Sequence, residues 1–474
     1  MNYLVLDTET SSSSVNYLSF LQFASCLFDE RFREIDGTRF NVRCRIRPTV
    51  VPNIGALLAN SIRVPMLQGA NLSHHDAVMQ IHTYINKVSP VTALGHNIIS
   101  FDLEAYIRQL YKNLIPDVYY LKKKPNLVMD TLNLARASKL VDDKNLKCEI
   151  SPKGSFLFKL GSLCKANNIK HEQAHEAMSD VLANAELARL LFKRSPEVWN
   201  SALKTAHKSE TQKVLERNKI ISHVQYFYGR SRWYANHWIF NHPDYTWGIC
   251  WDLRHSPTQY LNLGYKALET EMKKSPKFLR TIKQNRNESL LDSSYALKAE
   301  PYNKIGIKEL MKRVEILDKN PKFIELMKTI LHDQAEEKQT IDQTELIPEE
   351  RLYKDGFPSE SEQRNMELFH TLTWKDRLPL IEKFSEKYSF FAKVLFYEEH
   401  PELLPKSIYN EIHRLFASRL LSTNDVKWET VPKFYKELDD MRAKFDKQEN
   451  EDGLKLLDEY NQFVQEIEKK FENA

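Results

Sequence analysis

The sequence lacks the features that mark several common protein classes. Its five cysteines are scattered and form no C-x-x-C pair, which argues against a zinc finger or a disulfide framework and favours a reducing compartment. No apolar run approaches the length of a membrane span. The N-terminus shows no basic segment followed by an apolar one, so we expect no secretion signal. These absences together predict a cytoplasmic protein without a membrane partner.

Charge of one sign is not in large excess either. The formal net charge is +4 over 474 residues, which permits nucleic-acid binding without arguing for it. Hydrophobic residues make up 42% and charged residues 28% of the chain, as in an ordinary folded protein. The length is typical of roughly two to four domains.

Strand-like and helix-like patterns alternate up to about residue 195. The predicted strands are Tyr3–Leu6, Leu18–Phe28, Thr38–Ile46 and Val91–Leu94. The predicted helices are His75–Lys87, Leu103–Tyr111, Asp130–Lys139 and Ala174–Lys193. This mixture indicates an α/β domain that begins with an antiparallel meander.

The pattern changes near Ser195-Pro196. Four of the seven tryptophans lie between residues 226 and 251, among short strand-like runs that predict a small β domain. Residues 333–350 are rich in charge and Gln and are interpreted as a linker. The rest reads as amphipathic helices, the last at about Gly453–Phe471.

Three short acidic motifs carry the chemistry. Asp7 and Glu9 follow an apolar run, and side chains at i and i+2 share one face of a strand. Two neighbouring carboxylates suit Mg²⁺ or Mn²⁺, although such a triplet alone is more typical of a solvated strand end. Asp102 ends the run Gly95-His96-Asn97-x(4), where a helix starts. Considered alone, Asp102 is more typical of an N-terminal helix carboxylate that the helix dipole favours.

The third motif is His175-x(4)-Asp180, which opens a helix rich in Ala and Leu. Asp180 lies near the apolar face of that helix and needs a partner, for which a metal is one candidate. His175 lies near the helix N-terminus, where it could remain mobile above the same site. Considered alone, it would be a surface histidine or a cap.

The ordered set of motifs resembles the three exonuclease motifs of the DEDD superfamily. A histidine five residues before the last Asp is similar to the DEDDh branch, whereas the DEDDy branch would want a tyrosine where Glu176 stands. The stretch from Lys165 to His171, followed by Ala174–Asp180, resembles K-A-N-G-I-x-H…A-H-D-A-M-A-D of the bacterial exodeoxyribonuclease I family. His242-Pro243 and Leu352-Tyr353-x-x-Gly356-Phe357 extend the resemblance over nearly the whole chain.

The resemblance implies an α/β ribonuclease H-like exonuclease domain, a small SH3-like β domain and a helical C-terminal domain. We expect the exonuclease domain at residues 1–195, the SH3-like domain with a helical extension at 196–347 and the helical domain at 348–474. The last two parts would enclose single-stranded DNA over the active site. The implied activity is 3′→5′ degradation of single-stranded DNA to 5′-mononucleotides, in DNA repair and recombination.

The resemblance also implies two Mg²⁺ ions in the site, with Mn²⁺ able to substitute. Asp7 would bridge the ions, Glu9 and Asp180 would bind the ion that holds the attacking water, and Asp102 would serve the second ion. His175 would act as the general base, since its near-neutral pKa suits that role. The implied partner is single-stranded-DNA-binding protein through its acidic tail, and the implied state is a monomer.

Predicted substrate contacts extend beyond the metal ligands. They are Glu9, Thr10, Asn97, Phe101, Arg230 and Arg232. The two arginines are interleaved with Tyr226, Phe227, Tyr228, Trp233 and Tyr234, of which we expect at least half to be core. The basic stretch 266–286 suits a phosphate track or a solvated face equally, and Lys122-Lys123-Lys124 is interpreted as a solvated loop.

The chain departs from the family at two places near the first motif. Ser11 and Ser12 stand where the family has Phe-Gly, and Ser19 stands where an arginine is expected shortly before Gln22. Two alternatives also remain. One is an RNA or oligonucleotide exonuclease, which the two accessory domains argue against. The other is a non-catalytic DNA-binding scaffold, which the complete set of five site residues argues against.

Overall fold

The computed structural model describes residues 1–171, 176–284, 286–341 and 346–474. Its N-terminal part is built on a mixed five-stranded sheet in the order β3-β2-β1-β4-β5. The strands are β1 Tyr3–Thr10, β2 Phe20–Phe28, β3 Phe40–Arg43, β4 Thr92–Gly95 and β5 Leu127–Asp130. Strands β1, β2 and β3 pair antiparallel, and β4 and β5 run parallel to β1. The predicted meander and α/β class are both present.

Nine helices lie in the part of the chain up to residue 217 that the structure covers, and the last of them packs on the second sheet instead of the first. They are α1 Ile54–Ala59, α2 Val64–Gln68, α3 His74–Val88, α4 Asp102–Lys112, α5 Thr131–Val141, α6 Leu160–Ala166, α7 Ala177–Arg194, α8 Pro196–Thr205 and α9 Lys208–Arg217. The four predicted helices correspond to α3, α4, α5 and α7, with ends that differ by one to three residues. Residue 174, the predicted start of α7, lies outside the described ranges.

Strand β1 is covered on both faces. Leu4 and Leu6 belong to a core shared with α3 and α4, whereas Tyr3 and Val5 belong to a core shared with α7. Because side chains alternate along a strand, the residues that follow must divide between the same two faces. The strand continues to Thr10, four residues beyond its predicted end, so the first motif lies within it rather than after it.

The middle part contains an antiparallel sheet in the order β10-β6-β7-β8-β9. Its strands are β6 Ile221–Phe227, β7 Arg230–Asn241, β8 Trp247–Asp252, β9 Leu279–Lys283 and β10 Leu290–Leu291. Helices α10 Tyr265–Lys273, α11 Ser293–Leu297, α12 Tyr302–Ile305, α13 Ile307–Asp318 and α14 Pro321–Ile341 accompany it. Trp251 is fully buried at the centre of its core. This is the small β domain that the tryptophan-rich window predicts.

The interpretation of residues 333–350 as a linker is wrong over its first half. Helix α14 continues to Ile341, and Ala335 is buried against the rest of the protein. The Glu, Gln and Lys residues that suggest a linker are good helix formers, and those between 336 and 338 occupy the exposed face. A 3₁₀ helix at Pro348–Tyr353 leads into the C-terminal part.

The C-terminal part is helical, as predicted. Its helices are α15 Glu360–Thr371, α16 Trp374–Arg377, α17 Glu386–Glu399, α18 Lys406–Leu420, α19 Val431–Lys447 and α20 Glu451–Phe471. Phe391 and Phe396 of α17 lie in the same hydrophobic core as Leu4 and Phe20 of the first sheet. Buried Arg47 also pairs with Glu398, Nε to Oε2, at 2.9 Å. The C-terminal helices are therefore packed directly on the exonuclease-like sheet.

Candidate active site

Three of the predicted metal ligands converge. One carboxylate oxygen from each of Asp7, Glu9 and Asp180 lies within 4.8 Å of the others. The first two lie on the α7 face of β1, since they continue the alternation of Tyr3 and Val5. Asp180 is in the first turn of α7, which packs on that face. The site is thus formed by two alternate residues of one strand and one residue in the first turn of a helix.

Asp102 reaches the site from the opposite face of β1. It is the first residue of α4 and only 4% exposed. The Thr8 hydroxyl, which points to the α4 side because it lies between Asp7 and Glu9, donates to Asp102 Oδ1 at 2.7 Å. Asp102 is therefore held by Thr8, which lies between Asp7 and Glu9 in β1. Its carboxylate is not part of the cluster of Asp7, Glu9 and Asp180.

The carboxylates disfavour one another's charged form. Burial, followed by the charges of Asp102, Glu9 and Asp180, raises the pKa of Asp7 well above its usual range. Burial and the charge of Asp180 raise the pKa of Glu9 to about 8. Burial likewise raises the pKa of Asp102 to about 6. Hard divalent cations favour such an all-oxygen set and remove the repulsion, so these residues fit a divalent-metal site.

The proposed general base cannot be placed from the structure, because His175 lies outside the described residues. The adjoining Glu176 caps α7, accepting from the Ser179 N–H at 2.9 Å. Its other oxygen accepts from Gln22 Nε2 at 2.8 Å. Since Gln22 is paired with Glu9 across β1 and β2, the helix start is fixed to the strand that carries Asp7 and Glu9.

His171 is a site residue that the motifs do not assign. Its Nε2 lies 2.5 Å from Asp180 Oδ1, and its side chain is 7% exposed. One oxygen of a predicted ligand is thereby oriented by an imidazole. The signal in the sequence is its position at the end of the run from Lys165, which carries the resemblance without stating a role for the histidine.

A second unassigned residue, Asp130, shapes the loop of the second motif. Its carboxylate accepts from the backbone N–H of Asn97 at 3.0 Å and of Ile99 at 3.2 Å. Asn97 has φ +71°, a conformation that Asn tolerates better than most residues. Asp130 ends β5 beside the end of β4, so the two parallel strands bring it to the loop. The contact between Asp130 and this loop depends on the order of the strands in the sheet, which cannot be read from the sequence alone.

The remaining predicted substrate residues divide into two groups. Thr10 and Phe101 lie near the carboxylates, but the Thr10 hydroxyl donates to the Ser12 carbonyl at 2.9 Å, and Phe101 packs partly against the first core. Arg230 and Arg232 lie on the β6–β7 hairpin of the second sheet, where Arg232 donates to the Phe227 carbonyl at 2.7 Å. The structure does not bring these arginines into the carboxylate cluster.

The aromatic residues of the hairpin are mostly structural, as expected. Tyr234 is 4% exposed, and Tyr226 and Trp233 pack against hydrophobic cores. Phe227 and Tyr228 are exposed, the latter at 96%. Only these two present rings to solvent among the five aromatics that the sequence groups together.

The first-motif departures from the family are accommodated locally. Ser11 and Ser19 are fully buried, and the Ser19 N–H donates to Ser11 Oγ at 2.9 Å. The Ser19 hydroxyl also accepts from the Arg47 N–H at 3.3 Å. An arginine side chain has no room at this position, so any contact that it makes in the family is absent or made by another residue here.

Comparison with known proteins agrees with this geometry. Residues 4–188 match the Exonuclease family model, RNase_T. Exodeoxyribonuclease I of Buchnera aphidicola (subsp. Acyrthosiphon pisum) is 25% identical over 348 residues, covering 69% of this chain and 81% of that protein. The chain spans about half the length of the other curated relatives that it matches, which are also named Exodeoxyribonuclease I.

Solved structures match over nearly the full length. E. coli Exonuclease I in complex with a dT13 oligonucleotide superposes with a TM-score of 0.82 at 21% identity, covering 98% of this chain and 99% of that one. An ExoI/SSB-Ct complex matches with a TM-score of 0.81 at 20% identity and the same coverage. These likenesses establish the fold, including the ribonuclease H-like part and the added domains. The match of residues 4–188 to the Exonuclease family model and the likeness to proteins named Exodeoxyribonuclease I together confirm the resemblance to bacterial exodeoxyribonuclease I that the motifs predict.

Proposed function

We propose that this chain is a divalent-metal-dependent exonuclease that degrades single-stranded DNA from the 3′ end to 5′-mononucleotides. The observation that carries the proposal is the convergence of the Asp7, Glu9 and Asp180 carboxylates within 4.8 Å, inside the Exonuclease-family domain. The solved relative bound to a dT13 oligonucleotide supports a DNA strand as the substrate. No described helix has both the length and the apolar character needed to cross a membrane.

The metal ligands in this proposal are Asp7, Glu9, Asp180 and Asp102, and the metal is Mg²⁺, with Mn²⁺ as a substitute. When bound, two such ions neutralise charge on the phosphate and activate the attacking oxygen. The charges of Asp102, Glu9 and Asp180 all act on Asp7, which would be the shared ligand. Asp102, held on Thr8, would contribute from the far side of the strand.

The other catalytic roles are assigned to residues around that set. His175 takes the proton from the attacking water as general base. His171 orients Asp180, and Asp130 holds the second-motif loop, so both are positioning residues. We propose Glu9, Thr10, Asn97 and Phe101 as contacts to the 3′ nucleotide; Arg230 and Arg232 would contact the strand further away.

The proposal extends to the organisation of the chain and its setting. An exonuclease domain at 1–195, a β domain with a helical extension at 196–347 and a helical domain at 348–474 account for the two sheets and the C-terminal helices. The partner would be single-stranded-DNA-binding protein, in line with the solved ExoI/SSB-Ct complex. The setting would be DNA repair and recombination in the cytoplasm, as a monomer.

The test is cleavage of single-stranded DNA labelled at either end, in Mg²⁺ and in EDTA. Strands labelled at the 3′ end should release labelled mononucleotides at once. Strands labelled at the 5′ end should give a ladder of progressively shorter products. EDTA should abolish cleavage of both. RNA of the same sequence should be degraded more slowly. A protein without metal-dependent cleavage, or one that prefers RNA, would contradict the proposal.

A further inference from the structure

The start of helix α7 is joined to the first sheet through one carboxylate. Glu176 is the N-cap of α7, and Asp180 follows it by about one helical turn. We infer that Glu176 is a positioning residue, which fixes the place of Asp180 relative to strand β1 and thereby sets the affinity for the divalent metal. Together with the three side chains of the sheet that hold it, it forms the Glu176 network: Gln22, Asn41, Arg43 and Glu176. The inference rests on the proposed function, in which Asp180 is a metal ligand.

Four donors from three elements share the two carboxylate oxygens of Glu176. Oε2 accepts from the Ser179 N–H within α7 at 2.9 Å. Oε1 accepts from Gln22 Nε2 of β2 at 2.8 Å and from Asn41 Nδ2 of β3 at 3.4 Å. The Arg43 guanidinium, also of β3, lies 3.9 Å from the same oxygen. One oxygen therefore caps the helix, while the other joins the helix to two strands.

The three sheet residues reach Glu176 because they lie on one face of the sheet. Glu9 is paired with Gln22 across β1 and β2, and Gln22 is paired with Arg43 across β2 and β3. Asn41 precedes Arg43 by two residues and so points to the same face. Gln22 also donates from Nε2 to Asn41 Oδ1 at 2.8 Å, which joins the two amides. Since neighbouring strands lie about 4.8 Å apart, this row runs roughly 10 Å from the strand that carries Glu9 to the edge of the sheet.

The contacts of the Glu176 network differ in strength. Gln22 is 4% exposed and donates at a short distance, so its hydrogen bond is shielded from water. The Arg43 side chain is 39% exposed, and an ion pair of 3.9 Å at such a site contributes little. Gln22 is therefore the main link between Glu176 and the sheet.

The position of Asp180 depends on the helix start that this network fixes. The Asp180 N–H donates to the Glu176 carbonyl at 3.0 Å, in the first turn of α7. One carboxylate oxygen of Asp180 lies within 4.8 Å of oxygens of Asp7 and Glu9. Metal–ligand distances tolerate deviations of only about 0.2 Å. A helix start that could move relative to the sheet would therefore lower the affinity for the metal, although every ligand is still present.

The charge of Glu176 acts on the site as well as its contacts. Besides burial and the three other carboxylates, the charge of Glu176 raises the pKa of Asp7. Removing Glu176 would therefore weaken metal binding through charge as well as through position. Gln22→Met separates the two effects, because it removes the main donor, nearly conserves side-chain volume and leaves every charge in place.

Two variants test the inference without changing a proposed metal ligand. Gln22→Met breaks the main link to the sheet, and Glu176→Ser keeps an acceptor for the N-terminus of α7 but is too short to reach the sheet. The Kd for Mn²⁺ is measured by calorimetry in the absence of DNA, and the free energy of unfolding is measured with urea in EDTA. We expect the Kd for Mn²⁺ to rise by about 10-fold or more in both variants.

The matched control is Gln68→Met, because Gln68 of α2 also donates from Nε2 to a glutamate, Glu466 of α20, at 3.1 Å. The control should keep the Kd of the parent protein for Mn²⁺. If Gln22→Met also keeps that Kd, whether or not its free energy of unfolding is lower, the network serves only the stability of the fold and the inference is overturned. A rise in Kd confined to Glu176→Ser would overturn it too, since charge alone would then explain the effect. A parent protein that binds Mn²⁺ yet cleaves no single-stranded DNA would instead count against the proposed function.

Discussion

Asp7 illustrates how a proposed metal ligand can lower the stability of its own fold. The neighbouring carboxylates raise its pKa, so its charged form is unfavourable in the folded protein without a cation. A carboxyl whose pKa is higher folded than unfolded costs stability as pH rises above its unfolded value of about 3.9. Metal binding reverses this cost, which ties the site's occupancy to the protein's stability.

Asp7→Asn should therefore separate activity from stability. We expect nuclease activity to fall by more than about 100-fold, because a shared ligand is lost. In EDTA, the free energy of unfolding should rise by about 1 kcal/mol at pH 8 and change little at pH 4. Chemical denaturation in EDTA at pH 8 and at pH 4 measures the two free energies of unfolding. Asp36→Asn, at an exposed site, is the control and should alter neither property; a destabilised Asp7→Asn protein would contradict the electrostatic argument.

The sequence predicts the ligands at this scale but not the residues that orient them. Asp7, Glu9 and Asp180 are recognisable because each lies in a motif with fixed spacing along one element. Thr8, His171 and Asp130 act through contacts that span 94, 9 and 33 residues of chain respectively. Such pairs depend on strand order and helix placement, which a single sequence does not express.

At the scale of elements, apolar periodicity locates strands and helices well and their ends less well. The apolar run predicts that β1 ends at Leu6, yet the strand continues to Thr10 because β2 pairs with it throughout. The charge and Gln content of residues 333–350 predicts a linker, yet the helix continues to Ile341, because Glu, Gln and Lys have high helix propensity. In both cases tertiary pairing or propensity outweighs polarity.

The turn of the β6–β7 hairpin holds a tyrosine in a strained backbone conformation. Tyr228 and Gly229 both have positive φ, +51° and +75°, as a two-residue turn of this hand requires. Asparagine adopts that conformation at a small cost in free energy, whereas the cost is larger for tyrosine. Because the Tyr228 ring is 96% exposed, no burial offsets the cost.

Tyr228→Asn should accordingly stabilise the protein by about 1 kcal/mol, measured by urea unfolding. Arg230→Asn, next to the turn on ordinary strand backbone, is the control and should bring no gain. If Tyr228→Asn proves destabilising, the ring makes a favourable contact that the strain argument omits.

For the whole molecule, the packing of C-terminal helices on the first sheet makes stability depend on buried histidines. Burial lowers the pKa of His370 of α15 to about 3 and also lowers the pKa of His75, whose ring lies 6.0 Å away. His370 Nε2 donates to the Leu114 carbonyl at 3.2 Å, across the two parts. This interface was not predictable, because it joins residues some 250 positions apart.

A histidine whose pKa is lower folded than unfolded contributes stability above about pH 6.5 that is lost as pH falls toward the folded value. We expect the contribution of these histidines to the free energy of unfolding to decrease between about pH 6.5 and pH 4, by up to about 1.4 kcal/mol per pH unit for each group. His370→Gln should make that dependence shallower, whereas His400→Gln, at a partly exposed site beside Glu402, should not. Equal slopes for the two variants would contradict the account.

The most direct test of the central claim is a crystal structure of the protein soaked with Mn²⁺, with the ion located by anomalous scattering. The account predicts a peak at about 2.0–2.6 Å from carboxylate oxygens of Asp7, Glu9 and Asp180. It also predicts that Asp7→Asn crystals lose the peak. An active enzyme whose crystals show Mn²⁺ elsewhere, with these three carboxylates unliganded, would contradict it.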